Sequence, residues 1–127
     1  MKEENIKVVV INDSTATFKT VPNDIDAFYK ELNCDLFDIA TRKIDNRVFD
    51  IYCDDEGLFV ENARVSAIDK DENIMLVGNL MITNHDDEGN TTSLTEEEAS
   101  YIIANVGYFS TLTHKTPYPV LMNVEYC

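Results

Sequence analysis

The stretch from Asp69 to Phe109, DKDENIMLVGNLMITNHDDEGNTTSLTEEEASYIIANVGYF, constrains the fold more than any other part of the chain. Its first half, Ile74–Thr83, is apolar at both parities. Leu76, Leu80 and Ile82 fall on one side, and Met75, Val77 and Met81 on the other. A strand with two apolar faces argues for a central position in a sheet. Gly78 interrupts it and predicts a bulge or a close backbone approach. The second half predicts a helix over about Thr95–Phe109, with Ala99, Ile102, Ile103, Val106 and Phe109 as its apolar stripe. Ser93 precedes Glu96 by three and Thr95 precedes Glu98 by three, so either pair can form a capping box. Gly107 weakens the last turn of this helix.

The rest of the chain supplies partners for this unit. Ile6–Ile11 reads as a buried strand and Thr15–Val21 as a β-branched one, joined by the turn cluster Asn12-Asp13-Ser14. Asp24 is the expected N-cap of a short helix, whose Ile25, Phe28, Tyr29 and Leu32 share one face and which ends at Asn33. From Asp35 the period becomes two. Leu36–Thr41 and Arg47–Cys53 read as a hairpin around Lys43–Asn46. Gly57 suits a positive φ after an acidic turn, Leu58–Val60 returns as a short strand, and Glu61–Ala67 reads as a loop or an edge strand. Asp69–Asn73 is a polar turn. After Thr111 the prolines Pro117 and Pro119 keep the chain extended, and Val120–Tyr126 can add an edge strand or touch another subunit. Strands and helices without regular alternation point to the α+β class. The expectation is a single domain over residues 1–127: a mainly antiparallel sheet of five to six strands with two helices packed on one face, and residues 111–127 as an edge-strand or subunit-contact tail.

Charge is the strongest deviation. Twenty-four Asp and Glu against ten Lys and Arg leave −14. Such a protein repels nucleic acid and anionic membranes and attracts basic surfaces. No apolar run approaches the roughly 20 residues that span a bilayer, and the MKEEN start lacks the apolar region of a signal peptide. The expected location is cytoplasmic. Cys34, Cys53 and Cys127 are too few and too scattered for a disulfide framework or a zinc site.

Two acidic runs have one form, Asp54-Asp55-Glu56 before Gly57 and Asp86-Asp87-Glu88 before Gly89, and a third is Glu96-Glu97-Glu98. They read either as solvated turns with a helix start, or as an anionic surface offered to a basic partner. Asp69-x-Asp71-x-Asn73 begins like a calcium loop, but Ile74 and Leu80 occupy the positions that need glycine and glutamate. No serine sits in a nucleophile elbow, and no glycine-rich phosphate loop is present. No cofactor, metal or catalytic residue is therefore expected. A small enzyme would have to use His85 or His114 with a carboxylate. Arg42, Lys43, Arg47 and Arg64, with Tyr101 and Tyr108 as stacking faces, form the alternative set for gripping the phosphates of a small nucleotide.

Several short elements occur in a fixed order: the IKVVVI strand, the helix Ile25–Leu32, the alternating Phe49–Cys53 strand, and the acidic turn with Gly57. They are followed by Asn62-Ala63-Arg64, Val77-Gly78, D-D-E-G at Asp86–Gly89 and S-L-T-E-E-E at Ser93–Glu98. Over about residues 5–105 this order resembles domain-of-unknown-function family 3846, a family of small phage and prophage proteins. The resemblance implies a setting in which accessory proteins block bacterial defence without turnover. Some bind a host nucleic-acid-handling defence protein through an acidic face. Others, expected to be homo-oligomers, sequester a small nucleotide signal such as a cyclic dinucleotide or an ADP-ribose derivative. The first is the leading expectation, in host cytoplasm and with no direct nucleic-acid or membrane binding. The second is its alternative.

Overall fold

A computed structural model of the protein describes residues 4–34, 36–54, 64–112 and 115–127. Two strands open it, Asn5–Ile11 (β1) and Ala16–Pro22 (β2), paired antiparallel from Asn5↔Pro22 to Ile11↔Ala16. Asn12 closes their turn: its Oδ1 accepts from the backbone N–H of Ser14 and of Thr15, each at 2.8 Å. The helix Ile25–Leu32 (α1) begins as expected on Asp24, which accepts from the Ala27 N–H at 2.8 Å, and ends on Asn33 at a left-handed φ of 51°. Phe37–Ile44 (β3) and Arg47–Asp54 (β4) make the next hairpin. Its two turn residues, Asp45 and Asn46, both take the positive φ that a tight hairpin turn needs.

The remaining elements are Val65–Ile68 (β5), Ile74–Val77 (β6), Leu80–His85 (β7), Thr91–Thr92 (β8), Glu96–Ala104 (α2), Val106–Phe109 (β9), Tyr118–Leu121 (β10) and Val124–Tyr126 (β11). They form two sheets. The larger has seven strands in the order β11-β3-β4-β7-β1-β2, with β8 paired to the end of β7. All its pairings are antiparallel. The smaller has the order β6-β5-β10-β9, in which β5 and β10 run parallel.

The α+β class with mainly antiparallel sheet therefore holds, but three expectations change. The large sheet has more than the five to six strands expected, and a second sheet accompanies it. The helices do not share a face. Val9, Ile11, Phe49, Ile51, Leu80 and Ile82 pack with Ala99 and Ile102 of α2 and with Ala67 and Leu121 of the small sheet. The alternate residues Val8, Val10, Tyr52 and Met81 pack with Phe28 and Leu32 of α1. Strands that are apolar at both parities need cover on both sides, and each helix provides it on a different one. Finally, Ile74–Thr83 is two strands rather than one. β6 lies in the small sheet and β7 in the large one, and Gly78 stands at the corner with φ +77. Its N–H donates to the Arg64 carbonyl at 2.8 Å.

The expected helix to Phe109 also stops early. Asn105 ends it, because its side chain and carbonyl are bonded back to the helix and across to the segment after Leu121. Its Nδ2 donates to the Tyr101 carbonyl at 3.0 Å, and its Oδ1 accepts from Asn123 Nδ2 at 2.9 Å. Its backbone carbonyl accepts from the Met122 N–H at 2.7 Å. Val106–Phe109 then pairs with Tyr118–Leu121 as strand β9. In the tail, β10 is an interior strand of the small sheet, and β11 is the expected edge strand, placed on β3 of the large one. The returning strand expected at Leu58–Val60 lies outside the described residues.

Two substitutions separate backbone strain from packing. An added Cβ at Gly78 would meet nothing within 4 Å, so Gly78→Ala is expected to cost about 1–2 kcal/mol through its positive φ alone. Phe49→Ala, at a fully buried ring, is expected to cost about 3–5 kcal/mol. Urea unfolding midpoints measure both, and the order should not invert.

Candidate functional site

One end of the large sheet gathers three chain segments. The β7–β8 turn, Asp86–Asn90, caps the sheet there. The segment leading into α1 reaches it: Asn23, just before the Asp24 cap, donates from Nδ2 to the Thr91 carbonyl at 3.4 Å. The first turn of α2 reaches it from the opposite face: Asn84 Nδ2 donates to Glu98 Oε2 at 2.6 Å. Two helix N-termini, both of which favour negative charge, thus flank one acidic turn. Asp24, Asp26, Asp86, Asp87, Glu88, Glu96, Glu97 and Glu98 all stand at this end.

Two of the three predicted acidic runs are therefore together and the third is not. Asp54 closes β4 beside the start of β7, at Cys53↔Leu80, whereas Asp86 follows the end of β7. Asp55 and Glu56 lie outside the described residues. Nor do all the gathered carboxylates point outward unused. Asp86 Oδ1 accepts from the N–H of Glu88 and of Asn90 at 2.9 Å each, and its Oδ2 accepts from Asn90 Nδ2 at 3.1 Å. The same five-residue turn occurs at Asp69–Asn73, where Asp69 accepts from Asp71 N–H at 2.9 Å, Asn73 N–H at 2.8 Å and Asn73 Nδ2 at 2.9 Å. The fourth residue of each turn has positive φ, 66° at Glu72 and 84° at Gly89. These bonds, the Asn73 side-chain amide foremost for Asp69 and the Asn90 N–H foremost for Asp86, hold both carboxyls below the usual carboxylate range. The calcium-like start at Asp69 is thus a closed turn, and the shared D-x-x-x-N spacing is the sequence signal for both.

Of the two possible capping boxes, Thr95 and Glu98 make the real one. Glu98 N–H donates to Thr95 Oγ1 at 3.1 Å, and Thr95 N–H donates to Glu98 Oε1 at 2.9 Å. Ser93 Oγ instead accepts from the Lys7 N–H at 3.0 Å. Burial pushes the Glu98 carboxyl up, but the Thr95 N–H, the Asn84 amide and the Arg47 charge outweigh it, leaving Glu98 below its ordinary value. Glu97 holds Arg47, whose Nη1 lies 2.6 Å from its Oε2. Glu96 is exposed.

The alternative nucleotide set does not converge. Arg47 lies 4.2 Å over the Tyr101 ring as well as against Glu97, and Tyr101 Oη donates to the Asp45 carbonyl. Arg42 lies 4.6 Å over Tyr126 and lines a cleft of about 240 Å³ whose walls include the carboxylates Asp38 and Asp54. Lys43 faces Val48 and Glu125 across its strand neighbours. Arg64 is half-buried and donates to Asn79 Oδ1 at 2.9 Å, and burial lowers its pKa. Tyr108 is exposed on β9 of the other sheet.

Two features were missed by sequence reasoning. His85 Nδ1 lies 2.8 Å from Asp50 Oδ2, and Asp50 Oδ1 accepts from Thr41 Oγ1 at 2.8 Å. These residues are brought together by strand register, so no spacing announces them. Beside them a cleft of about 320 Å³ runs between α1 and the sheet, walled by Phe28, Phe37, Ile39 and Tyr52 and rimmed by Asp24 and Asn90. The Tyr52 hydroxyl and Thr91 Oγ1 are 2.6 Å apart at its edge. His114 lies outside the described residues. Among the described residues no three His, Cys, Asp or Glu side chains are placed to hold a metal ion, and no helix is long and apolar enough to cross a membrane. Cys53 is buried, and burial foremost pushes its thiol up to about 11, away from reactivity.

The fold and this end of it define a two-sheet α+β domain whose carboxylates collect around two helix N-termini and an aromatic cleft. The chain belongs to the family described as Domain of unknown function (DUF3846), whose family model matches residues 6–107. Neither the curated proteins nor the solved structures contain a match to it. Strands β10 and β11 follow the matched region, yet complete both sheets.

The capping box gives a pH test. Glu98 titrates lower folded than its unfolded reference of 4.5. Its stabilisation is complete above that value and is lost as pH falls through the folded pKa. Glu98→Gln is expected to cost about 0.5–1 kcal/mol at neutral pH, kept small by solvent exposure. The gap to the parent should close on acidification below 4.5. A gap independent of pH in chemical denaturation would contradict the assignment.

Proposed function

We propose that this protein is a non-enzymatic accessory protein of the phage type, and that it antagonises bacterial defence in the host cytoplasm. It binds a basic, nucleic-acid-handling defence protein through the acidic end of the large sheet. The observation that carries this reading is the placement of Asp24, Asp26, Asp86–Glu88 and Glu96–Glu98 around one end of the fold. Of the basic side chains nearby, Arg47 is engaged by Glu97 and His85 is hydrogen-bonded to Asp50, while Lys7 stands beside the start of α2. The carboxylates outnumber them, leaving a predominantly negative field to steer and hold a positively charged partner. Family membership supports the setting, because the resemblance of its motifs is to phage proteins.

The nucleotide-sequestering alternative gains no support from the positions of its residues. Arg42 and Arg47 lie on separate tyrosines, Arg64 is bonded to Asn79, and the cleft that touches Arg42 carries two carboxylates that would repel phosphate.

Immobilised protein in a low-salt lysate of a bacterium with active defence systems is expected to retain a basic nucleic-acid-binding protein. Physiological salt, where charges are screened beyond roughly 8 Å, should release much of it. The triple variant Asp87→Asn, Glu88→Gln, Glu96→Gln should retain much less. If no basic protein is held at low salt, or if neither salt nor the substitutions change retention, the proposal fails.

A further inference from the structure

We propose that the open half of the large sheet, beside α1, is a groove for an amphipathic helix of the partner, apolar on one side and flanked by Lys or Arg. This rests on the acidic-surface reading above and names what that surface receives. The six strands in the main path span about 24 Å at their usual spacing. A helix is about 10–12 Å across with its side chains. One helix therefore covers about half of such a face. α1 packs over β1, β2 and β7 and reaches β4 only at Tyr52. It also touches β3 at Phe37, whose ring packs on Phe28 and Tyr29. Beyond Phe37, exposed Ile39 of β3 and Val48 of β4 mark the part of this face that α1 leaves bare.

The uncovered half exposes apolar side chains on either side of a polar group, since the hydrogen-bonded Thr41, Asp50 and His85 lie between Ile39 and Val48 in the strand register. Strand alternation places Ile39 on the face of Phe37, and Val48 on the face of Tyr52. Ile39 is 46% exposed and Val48 47%, and Ile25 at the start of α1 is 59% exposed. Ile25 and Ile39 both line the aromatic cleft, so the cleft and the bare strands form one surface. Its rim is acidic: Asp24 and Asp26 on α1, Asp86–Glu88 on the β7–β8 turn, and Asp50 within the face. On this side Lys19 is paired with Glu31 of α1, Lys30 lies in the last turn of α1, Lys43 lies across from Val48, and His85 is hydrogen-bonded to Asp50.

A face with exposed apolar side chains and an anionic rim selects its occupant by charge. A second copy of this chain would bring another −14 and another acidic rim against the first. A helix with apolar residues at i, i+3, i+4 and i+7 and basic flanks instead meets both requirements, and it takes the place beside α1 where a second helix of the fold would lie.

The probe is a synthetic helical peptide with a leucine stripe at that spacing and lysine elsewhere. A scrambled peptide of the same composition is the control. Fluorescence anisotropy at low salt is expected to show at least about tenfold tighter binding of the amphipathic form. The same loss is expected with Ile39→Ser, Val48→Ser, whose side chains are too exposed to hold the fold. Amide shifts should centre on Phe37, Ile39, Val48 and Tyr52. Equal binding of both peptides, untouched by the double substitution, overturns the groove and leaves the acidic surface standing. Binding of neither peptide overturns both. A parent protein that sediments as a dimer and becomes a monomer on Ile39→Ser, Val48→Ser would assign the face to a second copy and overturn the proposal.

Discussion

The structure depends on a strand that is buried on both sides. Ile82 and Leu80 of β7 pack against α2 and the small sheet, while Met81 between them packs against α1. Burying each of these side chains contributes about 1.5–3 kcal/mol, and neither face can be left wet without forfeiting that. Two layers must therefore be supplied, one on each side. The chain supplies them by leaving the large sheet and returning to it. Gly78 makes one passage, from β6 into β7, and Asn123 makes another, from β10 into β11, both with positive φ.

The acidic end follows from that arrangement. With helices on opposite faces and both entered from the same end of the sheet, their first turns stand on either side of the β7–β8 turn. Asp24 caps one helix and Thr95 with Glu98 caps the other. Some of the negative charge therefore serves the fold: Asp24, Asp86 and Glu98 all accept backbone hydrogen bonds. Asp87, Glu88 and Glu96 accept none of these, and they are the residues on which the functional reading leans.

Local chemistry was legible in the sequence wherever a few neighbouring residues decide the outcome. Asp24 and Asn33 mark the ends of α1, Asn12 marks the first turn, and Asp45-Asn46 marks the hairpin. The misreadings arose where distant partners decide. Val106 and Phe109 fit a helical stripe and a strand equally well, and only the pairing with Tyr118–Leu121 selects the strand. Ile25 fits the stripe of α1, yet it borders a cleft and stays exposed. The acidic runs could be read, but not their grouping. Asp54 falls at the far end of β4, and Asp24 and Asp26 join from a helix some sixty residues upstream in sequence. The contact of His85 with Asp50 depends on register alone and had no signature to find.

The central claim is that the outward carboxylates of this end are held in place by the fold without holding it. Urea unfolding of the Asp87→Asn, Glu88→Gln, Glu96→Gln variant at low salt tests it most directly. The account expects a stability within about 0.5 kcal/mol of the parent, with lost helix-dipole attraction at Glu96 offset by relief of repulsion. A loss of about 2 kcal/mol or more would make these acids structural, and would contradict the claim that they are aimed at a partner.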